Sequence, residues 1–123
     1  MSDLTLKRIV FASESDTILR MMKARTGITP NVLCRIGLCL SLDEQGRPAR
    51  VDRKGEHVRE INRYTLMGEH DTTLVALLRT RALQDGLKPG AALDEDFLAH
   101  LNRGIALLAG RVKTLSDLGA LLE

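Results

Sequence analysis

With 123 residues, 44% of them hydrophobic, the chain has the size of one domain (1–123) with a modest core and the apolar content of an ordinary globular protein. Phe11, Tyr64 and Phe97 are its only aromatic residues, so the core must be aliphatic. That favours packed helices over a sheet sandwich and disfavours single-strand nucleic-acid binding by base stacking. The net charge of +2 is slight but uneven: residues 1–63 carry 12 Lys/Arg against 8 Asp/Glu, and residues 64–123 carry 6 against 8, so the basic half comes first.

Leu4 to Phe11 reads as an extended segment, with Ile9 and Phe11 on one face and Arg8 and Val10 on the other. A lone strand leaves its backbone donors and acceptors unpaired, so it is expected to pair with the same strand of a second subunit or to lie as an arm on the helices. Ser13 and Asp16 come near to a capping box and open a helix with Ile18, Leu19 and Met22 inside and Arg20, Lys23 and Arg25 toward solvent.

Gly27 closes that helix in the left-handed conformation, Thr29 is placed to cap the next, and Pro30 fits its first turn. From Val32 to Leu42 the second helix is apolar on every side except at Arg35 and Ser41, which predicts burial all round by its own chain or by another copy. At roughly 1.5 Å per residue it is too short to span a bilayer of about 30 Å. Cys34 and Cys39 fall roughly 140° apart around its axis, too divergent for a shared metal or a disulfide, and are read as small buried apolar residues in a reducing compartment.

Residues 43–48 have turn chemistry, and Arg47 to Arg63 hold six cations (Arg47, Arg50, Arg53, Lys54, Arg59, Arg63) against three anions. That stretch reads as a cationic loop or a short hairpin through Val51 and Val58. Glu60 to Gly68 is expected to be extended and to lead into a helix capped by Asp71, with Leu74, Leu77 and Leu78 inside and Gly86 at its end. A further helix runs from near Asp94 to Gly110 with Phe97, Leu98, Leu101, Ile105 and Leu108 inside, and Thr114 with Asp117 starts a short last one carrying Leu118, Leu121 and Leu122. The fold class is therefore mainly α, about five helices after a short extended strand, with a start like a ribbon-helix-helix unit and surplus apolar surface that implies an oligomer.

For catalysis the candidates are few. His57, His70 and His100 lie on three separate elements, Glu69-His70-Asp71 reads as an exposed helix cap, and no phosphate-binding glycine loop or nucleophile elbow is present. No catalytic residue, metal ligand or cofactor is expected. No basic stretch followed by an apolar one opens the sequence, so a cytoplasmic protein is expected, without a membrane partner.

Polyanion binding has more support. The start of the helix at Pro30 offers free N–H groups and a positive dipole end beside Thr29 and Asn31, Lys23 and Arg25 end the helix before it, and the 47–63 stretch adds cations. The candidate DNA contacts are Lys7, Arg8, Arg20, Lys23, Arg25, Thr29, Asn31, Arg47, Arg50, Arg53, Lys54 and Arg59. Some also have a plainer reading: Thr29 as a helix cap, Lys23 and Arg25 as partners of a helix C-terminal dipole.

Arg8-Ile9-Val10-Phe11, Arg25-Thr26-Gly27-Ile28-Thr29-Pro30-Asn31-Val32-Leu33-Cys34-Arg35-Ile36, Glu60-Ile61-Asn62-Arg63-Tyr64-Thr65-Leu66 and His100-Leu101-Asn102-Arg103-Gly104, in this order, resemble the DndE family of DNA sulfur modification proteins over almost the whole chain. The resemblance implies a small non-enzymatic subunit of the bacterial phosphorothioation machinery, which replaces a non-bridging phosphate oxygen of DNA with sulfur. It also implies partners that perform the sulfur chemistry, and a homo-oligomer, a tetramer, that binds duplex DNA with a preference for nicked DNA through surface lysines and arginines. A ribbon-helix-helix transcriptional regulator and a scaffold protein without DNA binding are the alternatives that the residues leave open.

Overall fold

The computed structural model describes residues 4–50 and 59–111, and of Arg59 the backbone only. The elements run β1 (Arg8–Phe11), α1 (Ser13–Thr26), α2 (Pro30–Asp43), β2 (Arg59–Asn62), α3 (Arg63–Met67), a single 3-10 turn (Gly68–His70), α4 (Asp71–Gln84) and α5 (Asp94–Arg111). The described residues are mainly helical, with one two-stranded sheet among them. The readings at Val51, Val58, Arg53, Lys54, His57 and the last helix from Thr114 lie outside the described residues.

The strand forms over Arg8–Phe11, the second half of the expected Leu4–Phe11 segment, and Ile9 and Phe11 are fully buried on its inner face. Its partner is different. β1 pairs antiparallel with β2 of the same chain, Arg8 opposite Asn62 and Phe11 opposite Arg59, a partner that the sequence reading did not name. The strand-helix-helix order is present, but this ribbon is made within one chain. The partner strand lies far along the sequence, beyond two helices, where no local pattern could reveal it.

Helix ends follow backbone geometry more than side-chain caps. The N-cap of α1 is Ala12, so Ser13 is already inside the helix, and Asp16 holds Arg20 at 2.6 Å instead of closing a capping box. Asp71 likewise is the first residue of α4 and not its cap, because its carboxylate is taken by Arg63. Asn62 does cap: its side chain accepts from the N–H groups of Tyr64 and Thr65, which ends the extended segment there and starts α3, well short of Gly68. The last described helix passes through Gly110 to Arg111.

The core gathers Leu4, Ile9, Phe11, Leu19, Met22, Leu33, Leu38, Leu66, Met67, Leu78, Phe97, Leu101, Ile105 and Leu108 around the crossing of α2 and α5. That crossing is glycine on glycine. A Cβ added at Gly104 would lie 1.9 Å from the Gly37 carbonyl oxygen, and one added at Gly37 would lie 2.9 Å from the Gly104 carbonyl carbon, so only hydrogen fits at either position.

Around the crossing, the polar residues of the His100-Leu101-Asn102-Arg103-Gly104 stretch tie α5 to its neighbours. Asn102 Oδ1 accepts from the Ser15 hydroxyl of α1, and Arg103 Nε donates to Ser41 Oγ at 2.8 Å. The same Ser41 Oγ is 2.9 Å from His100 Nδ1, an arrangement satisfied when the hydroxyl donates to a neutral imidazole. Arg103 also donates to the Ser41 and Gly46 carbonyls, and Arg81 to those of Leu42, Glu44 and Gly46, so two guanidinium groups hold the turn that ends α2.

Burial of α2 is one-sided. Leu33, Cys34, Gly37, Leu38 and Ser41 are inside, whereas Val32 and Cys39 are exposed and Ile36 and Leu40 only half-buried. Cys39 is thus not the buried residue it was read to be, although its apolar surroundings raise the pKa of its thiol. Leu77 of α4, expected inside, is 49% exposed on the same side. Among the described residues no helix is long and apolar enough to cross a membrane.

Candidate nucleic-acid interface

The corner between α1 and α2 is set by backbone geometry. Gly27 sits at φ 75°, where its N–H donates to the Lys23 carbonyl at 2.8 Å and turns the chain out of α1. Thr26 folds its hydroxyl back onto the Met22 carbonyl and accepts the Ile28 N–H, so the bend is held from inside. Thr29 is the N-cap of α2 and Pro30 its first residue, as the sequence predicts, but the Thr29 side chain makes no capping hydrogen bond.

That leaves donors available. The first intrahelical bond of α2 runs from Leu33 N–H to the Thr29 carbonyl at 3.1 Å, so the N–H groups of Asn31 and Val32 have no acceptor within the helix. Next to them is a surface recess of about 510 Å³ lined by Arg20, Lys23, Ala24 and Pro30. Arg20 is committed to Asp16, while Lys23 and Arg25 are exposed and make no ion pair among the described residues. Positive dipole end, free N–H groups and two uncommitted cations share one corner, an arrangement that suits an anion.

The remaining candidates lie elsewhere. Arg8 reaches Glu60 across the ribbon at 3.8 Å, and Lys7 is exposed before it, its carbonyl accepting the Arg63 N–H. Arg47 is drawn to Asp96 in the first turn of α5 at 3.1 Å, near Asp94, which accepts from the N–H and hydroxyl of Thr5. Arg50 is exposed, and Arg59 is placed only as a strand residue. The recess at the corner therefore includes Arg20 and Lys23 and does not include Arg47 or Arg50.

Several cations that charge counting placed in the basic half serve the fold instead. Arg63 is 6% exposed, with Nε and NH2 on the two Asp71 oxygens at 2.9 and 3.0 Å and NH1 on the Leu4 carbonyl. Arg35 donates to the Leu66 carbonyl at the end of α3. The buried His100 has its pKa lowered to about 4, first by loss of water and then by Arg103 and Arg81, so it is neutral near pH 7. Its Nε2 and Asp96 Oδ2 are buried without a protein partner among the described residues. No group of three or more His, Cys, Asp or Glu side chains is placed to hold a metal among those residues.

The sequence model of DNA sulphur modification protein DndE matches residues 8–116. The chain belongs to the DndE family. The crystal structure of DndE from Escherichia coli B7A, described as involved in DNA phosphorothioation modification, aligns with a TM-score of 0.69 at 26% identity over 85% of this chain and 98% of that one. A glycine-to-lysine double mutant of DndE, involved in DNA phosphorothioation, aligns with a TM-score of 0.64 at 23% identity over 86% and 99% of the two chains, and carries the likeness of fold. No curated protein matches the chain. Family membership assigns this chain to DNA sulfur modification, and the matched span contains the α1–α2 corner, the ribbon and the α2–α5 crossing.

Proposed function

We propose that this DndE-family chain is a non-catalytic DNA-binding subunit of a cytoplasmic DNA phosphorothioation system, which holds duplex DNA, nicked in preference to intact, through the phosphate backbone. It acts as a homo-oligomer, a tetramer, beside the subunits that carry out the sulfur chemistry. The observation that carries this reading is the sorting of the cations. Arg35, Arg63, Arg81 and Arg103 are spent on protein carbonyls and carboxylates, while Lys23 and Arg25 have no ion pair among the described residues and stand beside the N–H groups of Asn31 and Val32, which have no acceptor within the helix. Phosphate contacts of this kind bind without regard to sequence and release counterions. Lys7, Arg8, Arg20, Arg47, Arg50, Arg53, Lys54 and Arg59 complete the proposed backbone contacts, with Thr29 and Asn31 at the helix start.

The test is equilibrium binding to matched intact and nicked duplexes of unrelated sequence, by fluorescence anisotropy across a salt series. Binding is expected to ignore sequence, to tighten at the nick and to weaken linearly in log affinity against log salt. Selection of one sequence in intact DNA would make the chain a regulator, and no binding at low salt would leave it a scaffold.

A further inference from the structure

The outward side of α2 is open. Val32 is 37% exposed, Cys39 is exposed, and Ile36 and Leu40 are half-buried. Two recesses, of about 480 and 290 Å³, lie between this side and α4, and Cys39, Asp43 and the half-exposed Leu77 line both. Half-open aliphatic side chains along a helix that is otherwise packed mark a surface for a protein partner.

The charges on this face limit the choice of partner. Arg35 gives its Nε to the Leu66 carbonyl, and Asp43 makes no ion pair or hydrogen bond among the described residues. Arg81, which lines the smaller recess together with Asp43, is taken by Asp85 and by the carbonyls of Leu42, Glu44 and Gly46. His70, which lines the larger, lies 3.7 Å from Glu69. A wholly apolar partner would bury the Asp43 carboxylate without a counter-charge, which opposes binding.

The same face is self-complementary about Cys39. Arg35 precedes Cys39 by four residues and Asp43 follows it by four, so they lie about 6 Å away along the helix axis and about 40° around it, in opposite senses. Ile36 and Leu42 stand three residues before and after, about 4.5 Å along the axis and about 60° around it, each on the other side. A two-fold axis through Cys39, perpendicular to α2, therefore brings Arg35 of one copy onto Asp43 of the other and Ile36 onto Leu42. One isologous contact makes each of these pairs twice.

We propose that the outward face of α2, with Leu77 of α4, packs against the same face of a second copy of this chain, antiparallel about a two-fold axis close to Cys39. This pairing rests on the homo-oligomer proposed above and names the surface that one pair of copies shares. Each Arg35 meets Asp43 of the other copy, and the recesses between α2 and α4 close over aliphatic side chains from both.

Sedimentation equilibrium over a dilution series tests the pairing, with Asp43→Arg, Arg35→Glu/Asp43→Arg and Leu77→Asp beside the unsubstituted protein. Asp43→Arg is expected to raise the dissociation constant of the pair at least about tenfold, and the doubly reversed variant to return it to within about threefold of the original. Rescue of this kind requires contact between copies, because within one α2 the two positions stand about 12 Å apart. Leu77→Asp, at a position exposed in the single chain, is expected to dissociate the pair with helical content kept. A short bis-maleimide needs no substitution, since Cys39 is exposed in the single chain and Cys34 is buried: it is expected to join two copies through Cys39 where they associate, and not after dilution. An assembly unchanged by Leu77→Asp and Asp43→Arg, failure of rescue in a double variant of unchanged helical content, or Cys39 thiols that do not join would overturn the proposal and leave the homo-oligomer to another face. A chain that sediments as a monomer at every concentration would overturn both.

Discussion

The two halves of α2 use the same kind of residues to different ends. At its C-terminal half, Ser41 meets His100 and Arg103, and Arg81 and Arg103 donate to the carbonyls of Ser41, Leu42, Glu44 and Gly46. At its N-terminal half, Thr29 caps by position alone, the N–H groups of Asn31 and Val32 have no acceptor among the described residues, and Lys23 and Arg25 are exposed. Both ends of a helix carry orphan backbone groups; here one end is satisfied by the protein and the other is left for solvent or a ligand. Cations with every donor engaged build the fold, so a binding surface is to be sought among those left over.

The largest effect expected from breaking this contrast is at the helix crossing. Gly104→Ala places a Cβ 1.9 Å from the Gly37 carbonyl oxygen, a backbone atom that cannot swing aside. A loss of more than about 4 kcal/mol is expected in urea unfolding. A variant of unchanged stability would mean that α2 and α5 do not meet glycine on glycine.

A pH titration of stability probes the same half. His100 binds its proton at about 4 in the folded protein and near 6.5 when unfolded, so between these values the unfolded chain takes up protons that the folded chain refuses. The stability held above pH 6.5 is lost as pH falls toward 4, by up to about 3 kcal/mol. His100→Gln is expected to flatten that slope, and a slope as steep as that of the unsubstituted protein would place the proton elsewhere. Arg103→Ala is expected to lower stability by about 2 kcal/mol near neutral pH, because the Ser41 and Gly46 carbonyls lose a charged donor. Lys23→Ala and Arg25→Ala sit at the small end of the scale, with changes in stability within about 0.5 kcal/mol, since neither side chain holds the fold together.

Local signals were the readable ones. Thr26-Gly27-Ile28-Thr29-Pro30 places the corner and the start of α2 correctly, because a left-handed glycine and a first-turn proline act through their own backbone. Ile9 and Phe11 fall inside by alternation, and Phe97, Leu101, Ile105 and Leu108 by helical period. Pairing at a distance is hidden from the sequence. The strand partner is far along the chain, Arg63 looks like one more cation until Asp71 and Leu4 enclose it, and Ser13 resembles a cap until Ala12 takes that position.

The polar members of His100-Leu101-Asn102-Arg103-Gly104 show the same limit. Their place in a helix with a long apolar stripe is a signal that they serve some purpose, yet only the approach of α1 and α2 reveals that they bind Ser15 and Ser41. Of the candidate site, the α1–α2 corner is legible because its residues are neighbours in sequence. Arg20 illustrates the rest: it lines the recess, but Asp16, one turn away, already holds it.

The most direct test of a phosphate-binding role for the α1–α2 corner is the salt dependence of duplex binding by the Lys23→Ala/Arg25→Ala double variant beside that of the unsubstituted protein. If both side chains neutralise phosphates, the log-log slope is expected to become shallower by about 2, alike for unrelated sequences, while the unfolding midpoint stays put. An unchanged slope and affinity in a folded double variant would contradict the assignment of DNA contact to this corner.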